Sequence, residues 1–131
     1  MSATFSALLD QHGRPYANGR LAPPGSLDEA LTATLRDYKL RVAKRYRTLP
    51  PSLAPVVLPE GTLWVSPKID GELWFGWRRG DEAILCAPNG RMLHGVPVTA
   101  ALDRALPKDG ESLVAGELFI AATADGPRPR V

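Results

Sequence analysis

A lysine, an aspartate and a glycine stand together at Lys68-Ile69-Asp70-Gly71, between two apolar runs. Leu63, Trp64 and Val65 precede them, and Leu73, Trp74, Phe75 and Trp77 follow. A lysine amine is protonated and inert in water. Desolvation or a cationic neighbour disfavours the charged form and frees a lone pair that can act as a nucleophile. Asp70 can orient such an amine or a metal ion, and Gly71 lets backbone come close to a nucleotide. The same four residues also make an ordinary hairpin turn carrying a solvated lysine, and spacing alone leaves both readings open.

Other residues able to do chemistry lie downstream and upstream. Gly116-Glu117 places an acid beside a glycine within an apolar run, where glycine weakens a strand unless something must approach closely. Pro88-Asn89-Gly90-Arg91 puts a cation next to a strong turn signal. Arg36, Lys39, Arg41, Lys44, Arg45 and Arg47 form a basic run in which Asp37 is the sole acid. Such a run is either a solvated helix face or a strip for nucleic-acid phosphates, with Arg41, Lys44 and Arg45 the candidate contacts. His12 and His94 show no metal-ligand spacing. Cys86 reads as a small buried apolar residue.

Lys68-Ile69-Asp70-Gly71 resembles motif I of the covalent nucleotidyltransferases, which comprise ATP-dependent DNA ligases, RNA ligases and mRNA capping enzymes. Cys86-Ala87-Pro88-Asn89-Gly90-Arg91 resembles the Ser-Arg-x-Gly segment that follows it, and Leu113-Val114-Ala115-Gly116-Glu117-Leu118-Phe119 resembles motif III. Upstream, Leu49-Pro50-Pro51-Ser52-Leu53-Ala54-Pro55 resembles the segment leading into motif I of the DNA ligases. The resemblance covers roughly residues 47 to 120 and gains specificity from the order of its pieces.

It implies an ATP-dependent DNA ligase adenylation domain. Lys68 would attack the α-phosphate of ATP, form lysyl-AMP and pass AMP to a 5′-phosphate at nicked DNA, work that serves DNA repair and recombination. Mg²⁺ would be the metal. By the same resemblance Ser66, Asp70, Gly71, Arg91 and Glu117 would contact nucleotide, with Glu117 also placing metal. The match departs at four positions. Ser66 replaces an acid near the adenine, Leu73 and Pro88 replace arginines, and Ala115 replaces the first acid of motif III. Nothing after Phe119 resembles motifs IV or V, so the resemblance implies a fragment or one half of a split enzyme completed by a second polypeptide. An RNA ligase, a non-catalytic nucleic-acid-binding remnant and an unrelated β-rich domain with Lys68 on its surface remain as alternatives.

The elements that must position these residues follow from pattern. Residues 1–25, punctuated by His12-Gly13-Arg14-Pro15 and Pro23-Pro24-Gly25, predict a flexible N-terminal arm. Residues 26–131 would then, by the resemblance, form the partial adenylation domain. Ser26-Leu27-Asp28-Glu29 predicts a capping box and an amphipathic helix over 27–46, with Leu27, Leu31, Leu35, Tyr38 and Val42 on its apolar face. Leu63 to Val65 and Leu73 to Trp77 predict strands, with Trp64, Trp74 and Trp77 in the core. A turn at Arg79-Gly80-Asp81, a strand over 83–87, a hairpin turn at Pro88-Asn89-Gly90 and a return strand from Met92 follow. Pro97 to Leu106 predicts a helix with Val98, Ala101, Leu102 and Ala105 inward, and residues 112–121 a strand. The tail from Asp125 shows no periodicity. The pattern predicts an α+β fold class with antiparallel strands, and the resemblance implies that these form an incomplete nucleotidyltransferase fold.

A chain of 131 residues supports one small core. A net charge of +2 says little about partners. One cysteine precludes an internal disulfide and fits a reducing, cytoplasmic setting. No apolar run approaches a membrane span, and no signal-peptide pattern opens the chain.

Overall fold

The structure is a computed structural model that describes residues 4–64, 67, 70–123 and 126–130. It is an α+β arrangement around one antiparallel sheet. In chain order the elements are α1 (Phe5–His12), β1 (Arg14–Tyr16), β2 (Gly19–Ala22), α2 (Glu29–Ala43), a 3₁₀ turn (Pro51–Leu53), α3 (Ala54–Val57), β3 (Glu72–Arg79), β4 (Glu82–Cys86), β5 (Met92–His94), α4 (Pro97–Ala105), β6 (Glu111–Thr123) and β7 (Gly126–Arg130). The sheet order is β1-β2-β5-β4-β3-β6-β7. β3 is central, pairing with β4 on one side and along its whole length with β6 on the other, from Glu72↔Leu118 to Arg79↔Glu111.

Successive side chains of a strand point to opposite faces, and β3 sorts the core accordingly. Phe75 and Trp77 pack with Phe5 and Leu9 of α1, Leu35 of α2, and Ile84, Cys86 and Met92. Trp74 packs on the other face with Leu85, Leu93 and Val96, joined by Val98 and Leu102 of α4. The layers are therefore α1 and α2, the sheet, and α4. Arg78 lies on the α4 face at 1% exposure. Its guanidinium donates to the carbonyl oxygens of Gly80 (3.0 Å) and Asp103 (2.6 Å) and pairs with the Asp103 carboxylate.

The strands and turns from Glu72 to Glu111 follow the sequence pattern closely. Asn89 and Gly90, with Gly90 at φ +85°, make the β4–β5 turn, closed by the Ala87 N–H donating to the Arg91 carbonyl oxygen at 2.9 Å. In α4, however, Thr99 is the buried residue, and Ala101 and Ala105 are exposed.

Elsewhere the structure corrects the pattern. The flexible arm predicted over residues 1–25 is, from Thr4 onward, part of the body. Thr4 caps α1, accepting from the Ala7 N–H, and Phe5, Leu9 and Ala22 are core residues. The Glu82 carboxylate fixes α1 by accepting from the N–H groups of Phe5 and Ser6, each at 3.0 Å, and from the Ser6 hydroxyl. β1 and β2 extend the sheet beyond β5.

The cap of α2 is Asp28, which accepts from the Leu31 N–H at 2.9 Å; Ser26 instead donates its hydroxyl to the Pro23 carbonyl oxygen. The helix spans Glu29–Ala43, shorter than 27–46 at both ends. Leu63 and Trp64 lie in no strand, and Trp64 is 97% exposed, so it is not a core residue as Trp74 and Trp77 are. The tail pairs as β7 with β6.

Candidate functional site

The β3–β6 ladder brings the two halves of the predicted site together. Leu73 lies opposite Glu117, and Glu72 opposite Leu118. Just beyond the ladder, Gly71 sits so close to β6 that a Cβ there would stand 2.7 Å from the Leu118 carbonyl oxygen and 3.4 Å from the Glu117 Cβ. A side chain at 71 would push the strands apart. The glycine thus serves the approach of its own backbone to β6, whatever ligand comes near. Asp70 and Glu117 are both exposed at this end of the sheet. Ser66 and Lys68 lie outside the described residues.

Glu117 shares the face of Leu73 and Phe75, because directly paired residues point the same way. Tyr38 of α2 packs edge-on against Phe75 with ring centroids 5.1 Å apart. The start of α2 is tied to the β4–β5 turn, where the Leu27 N–H donates to the Gly90 carbonyl oxygen at 3.0 Å. The helix therefore crosses from that turn to β3 on the Glu117 face, and its basic end follows Tyr38.

Arg91 is not brought to Glu117. It lies on the opposite face, over the Trp74 ring at 4.9 Å from the centroid, ion-paired with Glu72 and donating from Nε to the Asn89 carboxamide oxygen at 3.2 Å. The Trp74 indole N–H also donates to Glu72, at 3.0 Å. Partial burial pushes the Glu72 carboxyl up, but the hydrogen bonds from Trp74 and Arg91 and the Arg91 charge outweigh it and leave its pKa below the usual value. Arg91 here ties the β4–β5 turn to the first residue of β3. Beside it is a small cavity of about 180 Å³ lined by Tyr16, Leu21, Trp74, Leu93, Leu118 and Phe119. Sequence reasoning did not single out Glu72. The signal was its place two residues before Trp74, on the same strand face.

Among the described residues no three His, Cys, Asp or Glu side chains gather to hold a metal ion. Mg²⁺ needs only one or two carboxylates when substrate phosphates complete its shell, and the exposed Asp70 and Glu117 are of the right chemistry. His94 and His12 take part in no such group. Cys86 is buried and its thiol is pushed up to about 12 by desolvation, so it is inert.

The basic run is exposed, as predicted. Arg36 pairs with Glu29 at 2.9 Å, and Arg41 Nε donates to the Asp37 carbonyl oxygen at 3.4 Å. Lys39, Lys44, Arg45 and Arg47 have no acid partner among the described residues. No described helix is long and apolar enough to cross a membrane. No protein-family model, curated protein or solved structure matches the chain.

Proposed function

We propose that this chain belongs to the adenylation part of an ATP-dependent polynucleotide ligase, with DNA the preferred substrate and Lys68 the residue that carries AMP. The observation that carries this reading is the β3–β6 register. It sets Asp70-Gly71, the end of the motif I resemblance, against Glu117-Leu118 of the motif III resemblance, although some 46 residues separate Gly71 from Glu117 in sequence. An antiparallel sheet flanked by helices is compatible with a nucleotidyltransferase fold.

In this mechanism the Lys68 ammonium loses a proton, and its amine attacks the α-phosphorus. A P–N bond forms as the P–O bond to the β-phosphate breaks; pyrophosphate leaves with that electron pair, and the nitrogen sheds a second proton. Covalent catalysis divides one hard condensation into two steps with good leaving groups. Asp70 and Glu117 would hold Mg²⁺ or the ribose, and the metal supplies charge neutralisation at the phosphates. Arg91, turned to the Trp74 face and bound to Glu72, acts as a brace for the strand that follows Lys68. The family's two arginines are replaced by Leu73 and Pro88.

The test is labelling with α-labelled ATP and Mg²⁺, on the 131-residue chain and on a version continued by its natural downstream sequence. The longer form is expected to acquire an acid-labile, alkali-stable adduct that Lys68→Ala abolishes, and the shorter form to label slowly. AMP located by mass spectrometry on another residue would end the assignment.

A further inference from the structure

We infer that the exposed rings of Tyr46, in the basic segment after α2, and of Trp64 bind single-stranded nucleic acid by stacking unpaired bases. This extends the ligase reading, which concerns strand ends, but it stands on separate observations.

The first is exposure. Trp64 is 97% exposed and Tyr46 79%, whereas Trp74 and Trp77 are buried at 3% each. Large aromatic surface left in water is costly, and a ring that packs against nothing in its own fold is available to a partner. The second is charge. Tyr46 stands between Arg45 and Arg47, with Lys44 one residue further back, and none of the three cations has an acid partner among the described residues. Cations around an exposed ring favour a polyanion, whose phosphates they neutralise with release of counterions.

The third is the kind of polyanion. Duplex DNA presents phosphates and groove edges but keeps its base faces stacked on one another, so exposed rings gain nothing from it. A single strand offers both a charged backbone and free π-faces, the combination that aromatic platforms in basic grooves take up. Trp64 also precedes Lys68, the proposed nucleophile, by four residues in the sequence.

The test uses the intact 131-residue chain and thymidine or uridine oligomers of about twenty nucleotides. Trp64 is exposed whereas Trp74 and Trp77 are buried, so the iodide-quenchable part of the emission reports on Trp64. Binding of the oligomer should quench the emission and shield Trp64 from iodide in the unmodified protein. A duplex of equal length should bind more weakly and leave Trp64 open. Trp64→Ala and Tyr46→Ala should each weaken single-strand affinity about tenfold at constant salt slope. Joint replacement of Lys44, Arg45 and Arg47 by Gln should flatten the slope. Equal affinity for duplex and single strand, or unchanged iodide quenching of Trp64 at saturating oligomer, would overturn the inference. The thymidine and uridine arms separate DNA from RNA as the source of the strand. Failure of lysyl-AMP formation with these results intact would remove the ligase reading alone.

Discussion

The two ends of β3 carry polar clusters of similar composition and opposite use. At the Arg79 end, Arg78 is sealed beneath α4, pairs with Asp103 and donates to two backbone carbonyl oxygens. Trp77 donates its indole N–H to Glu111 at 2.6 Å, and Glu82 holds the start of α1. Every one of these groups ties one element to another. At the Glu72 end the arginine–carboxylate–tryptophan cluster of Arg91, Glu72 and Trp74 is partly open, and Asp70 and Glu117 are exposed at the same end of the sheet, Glu117 on the opposite face from Arg91. Buried polar groups must be satisfied internally, so the far end is committed to stability. The near end keeps Asp70 and Glu117 exposed to solvent, and it is the end to which the proposed chemistry is assigned.

Substitutions break or sharpen this contrast. The largest effect on stability belongs to Arg78. Arg78→Ala removes the ties to α4 and leaves a cavity, and should cost about 3 kcal/mol by urea denaturation. A loss under about 1 kcal/mol would show that the far end is not what holds α4 on the sheet.

Glu82→Gln comes next, at about 1 kcal/mol, because it weakens the charged acceptor at the start of α1. Partial burial pushes the Glu82 carboxyl up. The hydrogen bonds from Ser6 and Phe5 and the nearby His94 outweigh that, so the folded pKa lies below the ordinary 4.5. A depressed folded pKa gives stability that is present above the unfolded value and lost as pH falls through the folded one. Denaturation midpoints should therefore decline with acid below about pH 4.5, and the decline should be shallower in Glu82→Gln.

The smallest change in stability should be at the near end. Glu117→Ala should alter it by less than about 0.5 kcal/mol, as surface substitutions do, while lowering self-adenylation of the downstream-extended chain severalfold or more. A stability loss with adenylation intact would make Glu117 a structural residue and erase the contrast.

Much of the central sheet was legible because its signals are local. Alternation from Leu73 to Trp77, the turns at Gly80 and Gly90 and the proline at the start of α4 each fix an element with little help from distant residues. The juxtaposition of Asp70-Gly71 with Glu117 was less so. Sequence order gave the pieces, but the face and register came from an eight-residue ladder that pattern alone does not determine. Arg91 illustrates the limit: the resemblance assigns it to nucleotide, and only the structure shows its pairing with Glu72 on the Trp74 face.

The N-terminal segment was misread because Gly13 and Pro15 look like loop residues, whereas Gly13 ends α1 and Pro15 sits in an edge strand, where proline is tolerated. Ser26 satisfied the capping pattern, yet Asp28 took the role because the chain turns later, after Ser26 has bonded back to Pro23. Trp64 is expected in the core from the strand-like run Leu63 to Val65, yet it lies in no strand and is 97% exposed, because a short apolar run without a pairing strand buries nothing.

The outermost strands have a consequence for the chain in a crowded solution. The sheet begins with β1, which contains Pro15, and ends with β7, which contains Pro127 and Pro129. A proline has no N–H to offer, so a neighbouring molecule aligned along either rim meets a broken ladder of donors. Stacking copies rim to rim into fibrils is discouraged at both borders by the covalent structure of three residues. Pairing of copies along either described rim should accordingly be weaker than along an edge with a full set of N–H donors.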